Sequence, residues 1–153
     1  MPFSKKRINK LNNTSDIDTI IQTTTNQWIT AVESTSAGKL NTSDIVKLFC
    51  DDGILLGTVS TIIRNTSGSI KDYFEYFANL SGLKVLNLDN NISKITNDVY
   101  VNNALVTWTW DLLDNPIIAR MSFIFKKNKN KWCISILHSS QLPEINTNLK
   151  PQL

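Results

Sequence analysis

Histidine is nearly absent from this chain: His138 is the only one in 153 residues. Catalytic zinc is commonly held by three histidines, so a site of that kind has little to draw on. A mixed site of His138, Cys133 and a carboxylate is the alternative. Strict strand alternation, however, puts Cys133 on the face of its strand opposite His138. No metal and no other cofactor is expected. Cysteine is scarce too: Cys50 and Cys133 read as reduced, buried, small hydrophobes of a cytoplasmic protein. No apolar run approaches the roughly 20 residues of a membrane span, and charge or Asn/Thr breaks every candidate leader before Trp28. A basic stripe with interleaved aromatics is also lacking. The net charge is only +3, with Lys5, Lys6, Arg7 and Lys10 crowded into the first ten residues. Neither a nucleic acid nor a membrane is expected as a partner.

What is present suffices for a core, since 41% of the residues are hydrophobic. Without a Gly/Ser linker or a repeat, a single domain is expected over 15–144. It is flanked by a flexible basic tail at 1–14 and a C-terminal tail at 145–153. Ile17, Ile20, Ile21, Thr24, Trp28, Ala31 and Val32 recur at helical steps after a Ser15 or Asp16 cap. "TSDIVKLFCDDG" reads as a short second helix that stops at Gly53. "ILLGTVSTIIRN" reads as a strand, a tight bend at Gly57 and a second strand. Ile70, Tyr73, Phe74 and Phe77 then share one face of a further helix ending before Gly82. From there the period becomes two, through four extended segments joined by polar turns such as Asn90-Asn91 and Asn128-Lys129-Asn130. Helices followed by a meander predict an α+β cone, with N-terminal helices packed on a strongly curved antiparallel sheet. The aromatic "LVTWTWDLL" segment, with Trp108 and Trp110, suits core filling or a sheet face covered by a second copy of the chain, hence a homodimer.

A sheet curved around helices leaves a pocket lined by alternate strand residues. In "KWCISILHSSQLPE", strict alternation puts Ile134, Ile136, His138 and Ser140 on one face and Leu137 with Ser139 on the other. Arg120 shares a face with Ser122 and Ile124 on the preceding segment. If the two faces correspond, an arginine, a histidine and a hydroxyl converge.

Two stretches, "DGILLGTVSTIIRNTSGSIKDYFEYF" and "ARMSFIFKKNKNKWCISILHSSQLPE", resemble the nuclear-transport-factor-like superfamily. The branch is that of the association domain of calcium/calmodulin-dependent protein kinase type II, and the likeness is greatest to metal-free iota-class carbonic anhydrases. The strongest parts are "GTVS" and "HSSQLPE". One departure is plain: a closing His-His pair in that family is Leu137-His138 here. The resemblance implies a cone-shaped dimer that interconverts carbon dioxide and bicarbonate.

Without a metal, such a reaction must rest on hydroxyls that hold water and substrate in fixed geometry. Thr58, Tyr73, Ser140 and His138 are the candidate catalytic residues; Arg120, Ser139 and Tyr76 are candidates for substrate binding. Ser140 is preferred to Ser139 because it shares a face with His138, and Tyr76 is the alternative to Tyr73. Each also has an ordinary structural role open to it, such as a turn hydroxyl, a core aromatic, or a pair between Arg120 and Asp51 or Asp52. Two other functions compete. One is a non-catalytic oligomerisation or ligand-binding module like the kinase association domain. The other is a pocket enzyme for a larger apolar substrate, with Asp51 or Asp52 at the rim.

Overall fold

The computed structural model describes residues 15–36 and 41–142. Both expected tails, 1–14 and 145–153, lie outside the described residues. The elements are α1 (Asp16–Thr35), α2 (Thr42–Val46), β1 (Phe49–Leu56), α3 (Ser67–Phe77), β2 (Lys84–Thr96), β3 (Val99–Thr109), β4 (Ile117–Asn128) and β5 (Lys131–Gln141).

Helix α1 begins at the Ser15 cap. The Ser15 hydroxyl accepts from the Asp18 amide at 3.1 Å, and the Asp18 carboxylate accepts the Ser15 amide at 3.3 Å. Its buried stripe of Ile21, Trp28 and Val32 faces the sheet. Thr24 and Thr25 enter that interface because their hydroxyls donate to the Ile20 and Ile21 carbonyls, both at 2.9 Å. Thr66 and Ser69 make the same reciprocal cap on α3.

The sheet runs β1-β5-β4-β3-β2. Strands β2 to β5 form the expected antiparallel meander, whereas β1 lies parallel to β5. The architecture is α+β, with helices packed against a curved mixed sheet. The turn at Lys129-Asn130 is as expected: both residues are left-handed, at φ 48° and 65°, as a two-residue hairpin loop requires.

Several local expectations are corrected. The second helix ends at Val46, and Phe49 to Gly53 belong to β1. Spacing alone fits either state there, and β5 decides it, since the Ile134 amide donates to the Leu48 carbonyl at 2.8 Å. No second strand follows the Gly57 bend, only a Leu55–Arg64 bridge. Asn90-Asn91 is not a turn. Strand β2 runs through it, and Asn90 turns inward to donate to Gln22 and Asn102. Of the two readings of the tryptophans, core filling holds: Trp108 is buried in the core of this chain, and Trp110 packs against it.

The cysteines are not free: Cys50 and Cys133 form a disulfide across 83 residues of sequence. The expected helix would have placed Cys50 off the sheet, whereas as part of β1 it lies beside β5. Replacing both with serine should lower the unfolding free energy by about 2–5 kcal/mol. Denaturant unfolding checks this, and under a dithiol reductant the wild type should fall to the midpoint of the double variant.

Candidate functional site

Helices α1 and α3 and the inner faces of β3, β4 and β5 enclose a cavity of about 210 Å³. Its walls are mostly apolar: Trp28, Phe74, Phe77, Trp108, Met121 and Leu137. Polar groups enter at one side through Thr58, Tyr73, Ser139 and Gln141.

Thr58 sits just after the C-terminal end of β1, and Ser139 is near the C-terminal end of β5. Because the two strands are parallel neighbours, with Leu56 opposite His138, the two hydroxyls meet. The Thr58 Oγ1 to Ser139 Oγ distance is 2.6 Å. Tyr73 comes down from α3 onto the same bend. A Cβ at Gly57 would overlap the Tyr73 ring, so only glycine lets the phenol approach this closely. Burial raises the Tyr73 pKa above its ordinary 10.0; the Val59 and Thr58 amides, the Thr58 hydroxyl and the Arg64 charge oppose that without overcoming it. Tyr73 is therefore a neutral phenol at physiological pH, able to donate its proton.

Thr58 and Tyr73 thus line the cavity as expected. Tyr76 lines only its mouth, 58% exposed. The expectations for β5 are inverted. Ser139 faces the cavity, and Ser140 and His138 face away; Leu137, expected to point outward, is a fully buried lining residue. The cause is a bulge. Phe125 pairs with Ile134 and Ile124 with Ile136, so Ser135 is an extra residue in β5. One extra residue exchanges the two faces of everything beyond it. Ile134 is indeed inward, and strict alternation from it fails at Ser135.

Arg120 is also outside. It lies opposite Ser140, and Ser122 lies opposite His138, so arginine, histidine and hydroxyl do converge, but in a shallow groove on the outer face of the sheet. Nor does Arg120 pair with the aspartates. Asp51 and Asp52 are both exposed outside the cavity lining, and Asp52 instead lies 3.9 Å from Lys126.

Two contributors were missed from sequence. Gln141 follows Ser139 in alternation and could have been found from it. Arg64 had no periodic signal, because it lies outside any strand or helix. Its guanidinium sits 5.5 Å from the Tyr73 ring centroid and is anchored by bonds to Ser60 Oγ at 3.0 Å and the Ser69 carbonyl at 2.7 Å. Among the described residues, no three His, Cys, Asp or Glu side chains gather as metal ligands.

The burial of Tyr73 has a measurable consequence. In a spectrophotometric titration, Tyr73→Phe should remove a tyrosine phase that ionises above the ordinary 10.0. As pH rises past 10.0 the unfolded chain loses this proton first, so stability falls with pH. The Tyr73→Phe variant should lose that part of the slope.

Solved structures share this architecture. A protein from Xanthomonas campestris, provisionally described as a calcium/calmodulin-dependent protein kinase II association domain, superposes with a TM-score of 0.72 at 25% identity; 86% of this chain and 91% of that one are covered. A protein from Streptomyces avermitilis, provisionally described as a dehydratase of the NTF2-like family, gives 0.68 at 11% identity over 81% and 94% of the two chains. A ketosteroid isomerase-like protein from Erwinia carotovora atroseptica gives 0.63 at 12% over 82% and 96%. None of these three descriptions includes a carbonic anhydrase. The last two likenesses, at such low identity, carry the fold alone. A search of curated protein sequences found no match. The SnoaL-like domain family model matches residues 21–144, most of the chain, and the chain belongs to that family.

Proposed function

We propose that the cavity hydrates carbon dioxide reversibly to bicarbonate, using hydroxyl groups and no metal. The observation that carries this is the contact of Thr58 with Ser139 at 2.6 Å, beside the Tyr73 phenol and inside otherwise apolar walls. The likeness of "GTVS" and "HSSQLPE" to metal-free iota-class carbonic anhydrases supports the same reading.

Carbon dioxide is apolar and suits such walls, and the polarity belongs where water and the developing anion sit. Among the described lining residues there is no histidine, aspartate or glutamate, so proton abstraction from a larger carbon acid lacks the usual base. Hydration does not need one. Water attacks the carbon, forming a C–O bond, while one C=O electron pair moves onto its oxygen. The water proton passes to a Ser139 or Thr58 oxygen, whose own proton moves to the substrate oxygen gaining charge. Carbonic acid results and ionises to bicarbonate and a proton on release. Tyr73 donates to the same developing charge, with the Arg64 cation behind its ring. Leu137 occupies an inward position where the resemblance would place an imidazole, so proton movement falls to the hydroxyls. The Cys50–Cys133 bridge favours an oxidising compartment over the cytoplasm.

Stopped-flow hydration assays test this. Ser139→Ala should lose about 10²–10³ in kcat, and Ser140→Ala, which deletes the same atom from the outer face, should lose little. Both should keep the fold by circular dichroism. Exhaustive chelation should leave the rate unchanged. Equal small effects of the two substitutions, or chelation loss restored by zinc or manganese, would overturn the proposal.

A further inference from the structure

The loop that carries Thr58, from Gly57 to Ile63, has little apolar burial of its own, since Val59, Ile62 and Ile63 are all exposed. Polar contacts hold it instead. Among the described residues, Thr58 meets Ser139 and the Tyr73 phenol, and Ser60 accepts a bond from Arg64. Arg64 closes the loop. Its amide donates to the Leu55 carbonyl at 3.0 Å and its carbonyl accepts from the Leu55 amide at 2.8 Å, so the loop's far end is pinned to β1. Its guanidinium then spans two elements: Nε donates to Ser60 Oγ at 3.0 Å, and Nη1 donates to the Ser69 carbonyl at 2.7 Å. Ser69 lies in the first turn of α3, one turn before Tyr73 and on the same helix face. The guanidinium carbon is 5.5 Å from the Tyr73 ring centroid.

We propose that Arg64 is a positioning residue: by tying the loop to α3, it fixes the Thr58 hydroxyl against the Tyr73 phenol. The fork matters, and not only the charge. A guanidinium presents its N–H groups in fixed, divergent directions, so one side chain serves Ser60 and Ser69 together while lying over the Tyr73 ring. A lysine ammonium is a point charge on a flexible stem and cannot hold both. The effect on turnover rests on the hydration reading, whereas the tie itself does not.

Arg64→Lys keeps a cation and removes the fork. In the wild type Tyr73 ionises above 10.0 because it is buried, and the Arg64 charge opposes that shift. Releasing the loop lets water reach the phenol, so the Tyr73 phase, identified by its loss in Tyr73→Phe, should fall toward 10.0 in Arg64→Lys. Loss of charge alone would drive it higher. In the hydration assay kcat should drop about tenfold to 10²-fold, with KM for carbon dioxide little changed because the apolar walls are untouched. Circular dichroism should show the fold intact. Should Arg64→Lys not fold, Ser60→Ala, which removes the loop's acceptor and leaves the cation, should move the Tyr73 phase the same way. A Tyr73 phase that stays in place or moves higher overturns the proposal, and so does a variant that keeps the wild-type kcat. If the wild type does not hydrate carbon dioxide, the hydration reading fails, and the Tyr73 phase alone decides whether Arg64 ties the loop.

Discussion

The parallel pairing of β1 with β5 brings together residues that lie far apart in the chain. Thr58 meets Ser139 across 81 positions, and Cys50 meets Cys133 across 83. Among the described residues β1 is an edge strand whose one strand partner is β5, with only the Leu55–Arg64 bridge on its other side, and its ladder is irregular between Phe49 and Ile54. The disulfide at one end of this pair and the hydroxyl contact at the other tie down what the broken ladder holds less firmly. The Gly57 bend, with Tyr73 packed on it, inherits its position from that pairing.

The bulge at Ser135 sets the chemistry of the cavity. With strict alternation in β5, His138 and Ser140 would have faced the same way as Ile134, giving an imidazole-bearing pocket, while Arg120 on β4 points outward in either case. The extra residue turns Leu137, Ser139 and Gln141 inward instead. The inner surface becomes apolar with a patch of hydroxyls, and His138 goes to the outer face, where Arg120 already lies. A single backbone irregularity therefore separates two kinds of site.

Apolar walls raise the worth of each remaining polar group. In a low local dielectric a positioned hydroxyl interacts more strongly than in water, and an unpaired donor is more costly. Both sides of that rule appear here. Tyr73 stays neutral because burial outweighs the amides, the hydroxyl and the Arg64 charge that favour its ionised form. Trp28 keeps an N–H without an acceptor among the described residues. Beneath the cavity the opposite solution is used: Asn102 donates to Thr25 at 2.9 Å and accepts from Asn90 at 2.9 Å, so the buried amides joining α1 to the sheet are satisfied.

Local features were legible in the sequence because local physics determines them. The Ser15 cap and the buried stripe of α1, the α3 face carrying Tyr73, the extended segments of the meander and the Lys129-Asn130 turn all depend on neighbours within a few residues. Thr58 and Tyr73 could be picked from the glycine bend and the helix face for the same reason. The apolar alternation of Ala119, Met121, Phe123 and Phe125 also held the information that Arg120 points outward. The state of Phe49 to Gly53, the Cys50–Cys133 bond and the choice of Ser139 over Ser140 were decided only by tertiary structure. All three depend on how β5 pairs with β1 and β4. A period-two pattern says that side chains alternate, but a bulge leaves no mark in it, and which face meets the helices is set by the register of strands distant in sequence.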